Sequence, residues 1–224
     1  GILAAMIAFA SCSDADENLP NDSQQSKNTK VSITDAPIDN AEVRGAFVTI
    51  TDVKVNGVSV AGFSTTTVDL MTLQNGNKEL LGNLDLEVGT VSNVTLVLDY
   101  ENDENGDSPG SFIETTNGIK HELKASSNEI SINDNTEIFA TGDNEIVIDF
   151  DLRKTIIAAN DGNSQDEFDF VSDFELSNGL RIVNNQEAGE ISGTITDSNS
   201  SSEAIIVFAY EAGTFTDAEM QEQG

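Results

Sequence analysis

Asp149 and Asp151 stand two apart in IVIDFDLRK. In a strand, a side-chain period of two sets both carboxylates, and then Arg153, on one face about 6.6 Å apart. Ile146, Ile148, Phe150 and Leu152 then fill the opposite, core-facing side. The distance is near that of the carboxyl pair in an inverting glycosidase. Direction defeats that chemistry, because two carboxylates projecting the same way from one strand cannot flank a glycosidic bond. The spacing predicts a solvated or salt-bridged outer face, with cation or partner contact as the other reading.

A second constellation lies in ENDENGDSPG, where Asp103, Asn105 and Asp107 follow an Asp-x-Asn-x-Asp spacing. In a tight loop, alternate oxygens at this spacing can converge on one hard cation, so calcium is the candidate ion and no cofactor is required. Ser108 occupies the position where an EF-hand turns on glycine, and a polar solvated loop is the competing reading. His121 is the single histidine and sits in IKHELK between lysines. Nucleophilic catalysis needs a base held by an orienting acid, and a zinc site needs several His or Cys ligands. His121 is therefore read as a half-exposed strand residue, and no catalytic residue is assigned.

Cys12 is the only cysteine in 224 residues. It follows the uncharged run GILAAMIAFA, which is too short to span a bilayer and reads as the remnant of a signal peptide. Phe9, Ala10, Ser11 and Cys12 resemble a bacterial lipobox, in which the thiol takes a diacylglycerol and several acyl chains give a firm anchor. A buried core cysteine is the alternative. Ser13, Asp14, Asp16 and Glu17 follow at once and resemble the acidic export signal of surface-exposed bacterial lipoproteins; a plain solvated linker is the other reading. From Asn18 to Lys30 the composition is too polar to bury a core, and Ser13 to Lys30, fully extended, reaches about 60 Å.

From Lys30 the chain turns to strand language. VSIT alternates, and FVTITDVKV meets Val58 to Val60 across Asn56-Gly57, the strongest short-range hairpin signal. One short helical turn is expected around Lys78 to Leu81. Val94, Leu96, Leu98 and Tyr100 share a face, and further strands are expected at Ile119 to Leu123, Glu137 to Ala140, Glu145 to Leu152 and Phe168 to Leu176. The pattern predicts an all-β antiparallel sandwich, immunoglobulin-like or transthyretin-like, with at most one short helix. Forty acidic residues against ten basic ones give a formal net charge of -30, which excludes nucleic acid as a partner.

KVSITDAPID, FVTITDVKVNG, TVDLMTLQNGNKELLGNLDLEVGTVSNVTLVLD and IVIDFDLRKTII, in that order, resemble the family catalogued as domain of unknown function 4382. The resemblance implies a bacterial envelope lipoprotein and supplies no established activity. GEISGTITDSNSSSEAIIVFAY, from Gly189, is similar to the opening of a carboxypeptidase-regulatory-like, or transthyretin-like, domain. The expected organisation is a signal remnant at 1–11, a lipidated tether at 12–29, a sandwich at 30–183, a linker at 184–188 and a truncated second β domain at 189–224. The function expected is a surface-displayed outer-membrane lipoprotein, facing the exterior and attached through its lipid. Its sandwich contacts an envelope protein or a glycan without catalysis. The alternative is an accessory domain or weak hydrolase acting on extracellular polymers, with carboxylates or calcium supplying the chemistry.

Overall fold

The structure is a computed structural model that describes residues 25–36, 40–74, 76–159 and 167–189, with isolated positions 193, 194, 196 and 213. The chain divides into two compact units, Gly1–Gly189 and Glu190–Gly224. Cys12 with the acidic run, and nearly all of the stretch read as a second β domain, lie outside the described residues.

In chain order the first unit begins with β1 (Ser26–Ala36), β2 (Val43–Val55), β3 (Val58–Ser59) and β4 (Thr66–Asp69), then a 3-10 turn at Leu70–Leu73. Strands β5 (Glu79–Glu87), β6 (Gly89–Val91), β7 (Val94–Asp99), β8 (Phe112–Thr115) and β9 (Lys120–Glu122) follow. After them come β10 (Glu129–Ile132), β11 (Thr136–Ile138), β12 (Asn144–Asp151) and a single turn α1 (Leu152–Thr155). The unit closes with β13 (Ile156–Ala159), β14 (Glu167–Phe170), α2 (Asp173–Gly179) and β15 (Leu180–Asn184).

Two main sheets result, one ordered β15-β12-β1-β5 and the other β10-β7-β2-β8-β9 with β3 and β4 also paired to β2. The fold is all-β and sandwich-like, as the alternation predicted. Inward positions of the first sheet (Val31, Ile33, Ile146, Ile148, Phe150, Ile182) and of the second (Val48, Ile50, Val53, Leu96, Leu98, Ile113) form one buried cluster. Removing each such side chain from water stabilises the fold by about 1.5–3 kcal/mol. The ladders are antiparallel except β1 with β12, which run parallel from Thr29↔Asn144 to Ala36↔Asp151. Asn56 and Gly57 adopt left-handed φ of 47° and 79°, the conformation a tight hairpin turn requires, and β2 pairs with β3 across them.

Several local expectations are corrected. Lys78 to Leu81 is not helical: Glu79 and Leu80 already pair with Ile33 and Ser32 of β1. The helical turn forms earlier, at Leu70–Leu73, because the Asp69 side chain caps it by accepting the Met71 N–H. Phe168 to Leu176 is not one strand, since β14 ends at Phe170 and α2 begins behind a capping box in which Ser172 and Glu175 satisfy each other's backbone N–H. Helix content therefore exceeds the single short turn expected. The stretch 184–188 is not a free linker over its first residues. Asn184 closes β15, Asn185 Oδ1 accepts the Glu145 N–H, and Glu187 Oε2 accepts from Thr136 Oγ1 at 2.5 Å.

Strands β7 and β8 pair with successive stretches of β2, Thr49–Val55 and Val43–Phe47. Between them the chain leaves the sheet as loop 100–110, and Ser111 Oγ closes the gap by donating to the Asp99 carbonyl at 2.9 Å. The loop folds back over β2. Thr49 Oγ1 donates to the Gly110 carbonyl at 2.6 Å, and Glu104 and Thr67 exchange two bonds through backbone N–H groups and side-chain oxygens.

Candidate functional site

Asp149 and Asp151 end β12 beside β1, with side chains only 12% and 10% exposed. Ile146, Ile148, Phe150 and Leu152 are fully buried, so the alternation read from IVIDFDL holds. The carboxylates have separate partners. Asp149 Oδ2 accepts from Arg181 Nη2 at 2.6 Å and Nε at 2.7 Å, directly across the β12–β15 register. Asp151 instead caps α1: its Oδ1 accepts the Arg153 N–H at 3.1 Å, while Lys154 Nζ lies 3.2 Å from Oδ2. Arg153 is not on the strand face, because the chain turns helical after Asp151; its Nε reaches Asp151 at 3.4 Å. Asp35 of β1 adds a third buried carboxyl here and accepts the Leu152 N–H. This is the salt-bridged reading of the pair. The sequence missed Arg181 as the counter-ion because it lies 32 residues on; its place in the alternating LRIV was the available signal.

Loop 100–110 places Asp103, Asn105 and Asp107 together, but Asp103 Oδ1 accepts the backbone N–H of both Asn105 and Asp107, at 2.8 and 2.9 Å. Those amides, Asp107's first, hold the Asp103 carboxyl below its ordinary pKa. Glu114, twelfth from Asp103, belongs to β8 and pairs with Arg44 at 3.4 Å. Among the described residues no group of three or more His, Cys, Asp or Glu is arranged to hold a metal ion. The same loop contains GDSPG, a Gly-x-Ser-x-Gly spacing. A nucleophile elbow sets its serine on a strand-to-helix turn. Ser108 lies exposed in an irregular loop followed by β8.

His121 occupies β9 opposite Ile113, half-buried, with its ring edge-on to Phe168 at 5.7 Å; its Nε2 has no hydrogen-bond partner among the described residues. Tyr100 ends the β7 face. Its hydroxyl donates to the Ser127 carbonyl at 2.6 Å, and burial, with Asp173 nearby, pushes its pKa up to about 12. A cleft of about 490 Å³ opens between the Asn56-Gly57 hairpin and the end of β5, lined by Val55, Val58, Asp85, Leu86, Glu87 and Val91 among others. A smaller recess of about 260 Å³ lies between α2 and the β10–β11 connection, with Ser131, Asn133, Asp134, Ser177, Asn178 and Arg181 in its wall.

The protein class defined by these observations is an acidic, all-β domain in which the conspicuous carboxylates serve as caps and ion-pair partners. The model of one family, described as Domain of unknown function (DUF4382), matches residues 28–169, and the chain belongs to that family. No curated protein and no solved structure matches it.

Proposed function

We propose that this chain is a surface-displayed lipoprotein of the bacterial outer membrane, whose sandwich is a binding or structural module held away from the lipid. The observation that carries the reading is the lone Cys12, set directly after an apolar run and directly before Ser13, Asp14, Asp16 and Glu17. Two acyl chains on the thiol, with a third on the amino terminus, anchor a protein firmly. A net charge of -30 keeps the domain off an anionic surface, and the polar tether supplies the distance. The commitment of Asp149, Asp151 and Asp103 to structural partners supports binding over hydrolysis. The test is Cys12→Ala in cells fed an alkyne fatty acid. The native protein should take up label and fractionate with membranes; the variant should do neither. A variant that still carries label refutes the anchor. Replacing Asp14, Asp16 and Glu17 by Ala should keep the label but hide the protein from external protease.

A further inference from the structure

Among the described residues, strand β5 is the terminal strand of the β15-β12-β1-β5 sheet and runs for nine residues. Its pairing phase follows from one bond. The Val88 N–H donates to the Gln25 carbonyl at 2.8 Å, directly opposite in the β1–β5 register. In an antiparallel ladder, hydrogen-bonded pairs alternate with pairs whose N–H and C=O point away. Leu86 and Leu84 therefore exchange bonds with Lys27 and Thr29 of β1, and Asn83, Asp85 and Glu87 turn their backbone groups outward. These outward groups make no hydrogen bond to any described residue. All three side chains are exposed, whereas Leu84 and Leu86 are buried. An open edge of this length is a template for another strand.

The chemistry around the edge is one-sided. Asp85 and Glu87 enter no ion pair among the described residues, and the adjoining cleft of about 490 Å³ has no Lys or Arg in its wall. The cleft floor is aliphatic, with Val55 and Leu86 buried and Val58 56% exposed at its rim. A second copy pairing edge to edge would bring like carboxylates together and would add another -30 of charge, which disfavours it.

We propose that the outward edge of β5 from Asn83 to Glu87, with the cleft beside it, docks a basic, extended segment of a partner protein as an added strand. Its backbone completes the sheet, its Lys or Arg side chains meet Asp85 and Glu87, and an aliphatic side chain enters the cleft at Val58 and Leu86. This rests on the binding-module reading and gives it a partner chemistry.

The test uses the whole chain and a fluorescein-labelled octapeptide of alternating Lys and Val, read by anisotropy at physiological ionic strength. The control peptide has the same sequence and charge but is N-methylated at alternate residues, so that it cannot bridge an edge. The unmodified peptide should bind about tenfold more tightly than the control. Asp85→Pro removes an outward N–H and the exposed bond from Asn28 Nδ2 to Asp85 Oδ1, leaves the backbone ladder to β1 intact, and should weaken binding by a similar factor with little change in the melting curve. Should that variant melt early, Asp85→Lys with Glu87→Lys takes its place, and amide shifts at Asn83, Asp85 and Glu87 of the native chain report the docking site directly. Equal binding of both peptides means charge attraction alone and overturns the proposal. Native-like binding by the Pro or Lys variants does the same, as does a self-associated chain that Asp85→Pro dissociates. If the peptide fails while the chain captures glycans on an array, the edge proposal falls and the binding-module reading stands.

Discussion

Replacing Asn184 by Ala should lower stability more than any surface change in this domain. Asn184 is fully buried at the end of β15. Its Nδ2 donates to the Glu137 carbonyl at 2.7 Å and to Asn144 Oδ1 at 2.8 Å, and its Oδ1 accepts the Gln186 N–H at 3.1 Å. Asn144 Oδ1 keeps two other donors, the Phe139 N–H and Gln186 Nε2. Truncation therefore orphans two groups, the Glu137 carbonyl and the Gln186 N–H. Each of the three hydrogen bonds lost contributes about 1 kcal/mol, so a loss of about 3 kcal/mol is expected. For a domain of this size that is a fall of roughly 6–12 °C in melting temperature. Calorimetry of the whole chain measures it, with Lys124→Ala as a comparison, since Lys124 and its partners Glu101 and Glu122 are all exposed and that variant should melt with the native protein. An Asn184→Ala transition within about 2 °C of native would refute the reasoning and show that water or relaxation satisfies the orphaned groups.

Gly110→Ala should also destabilise, because an added Cβ would stand 2.7 Å from the backbone N and C of Asn102 and closer still to its carbonyl; native melting and unchanged amide protection in loop 100–110 would contradict that packing. Burial pushes the Glu145 pKa up, but the Lys78 ammonium and the Ser32 hydroxyl outweigh it and leave the folded carboxyl below its ordinary value. A depressed carboxylate contributes stability above its unfolded pKa, about 4.3, and loses it as pH falls through the folded one. The difference in melting temperature between native protein and Glu145→Gln should thus be largest near neutrality and close below about pH 4; a gap constant with pH would contradict it. Calcium and magnesium at equal ionic strength should raise the melting temperature equally by screening, since Asp103 is committed to two amides. A calcium-specific rise, lost in Asp103→Ala with Asp107→Ala, would instead assign a cation to the loop.

Local pattern was enough for whatever depended on near neighbours. The period-two burial of Ile146, Ile148 and Phe150, the Asn56-Gly57 hairpin and the all-β class follow from alternation and turn chemistry, which act within a few residues. The capping box at Ser172 and Glu175 is equally local, since Ser-x-x-Glu marks a helix start within four residues. Tertiary structure decided what depended on register between distant segments. Nothing within IVIDFDLRK says that β12 lies parallel to β1 or that Asp149 meets Arg181, because a counter-ion is chosen by strand order and not by chain distance. The same holds for loop 100–110, where only the tertiary structure shows Asp103 holding its own backbone and Glu104 reaching Thr67, 37 residues away. It holds for β5 too: an edge exists only relative to a whole sheet, and only the β1–β5 phase shows that Asn83, Asp85 and Glu87 turn their backbone groups outward.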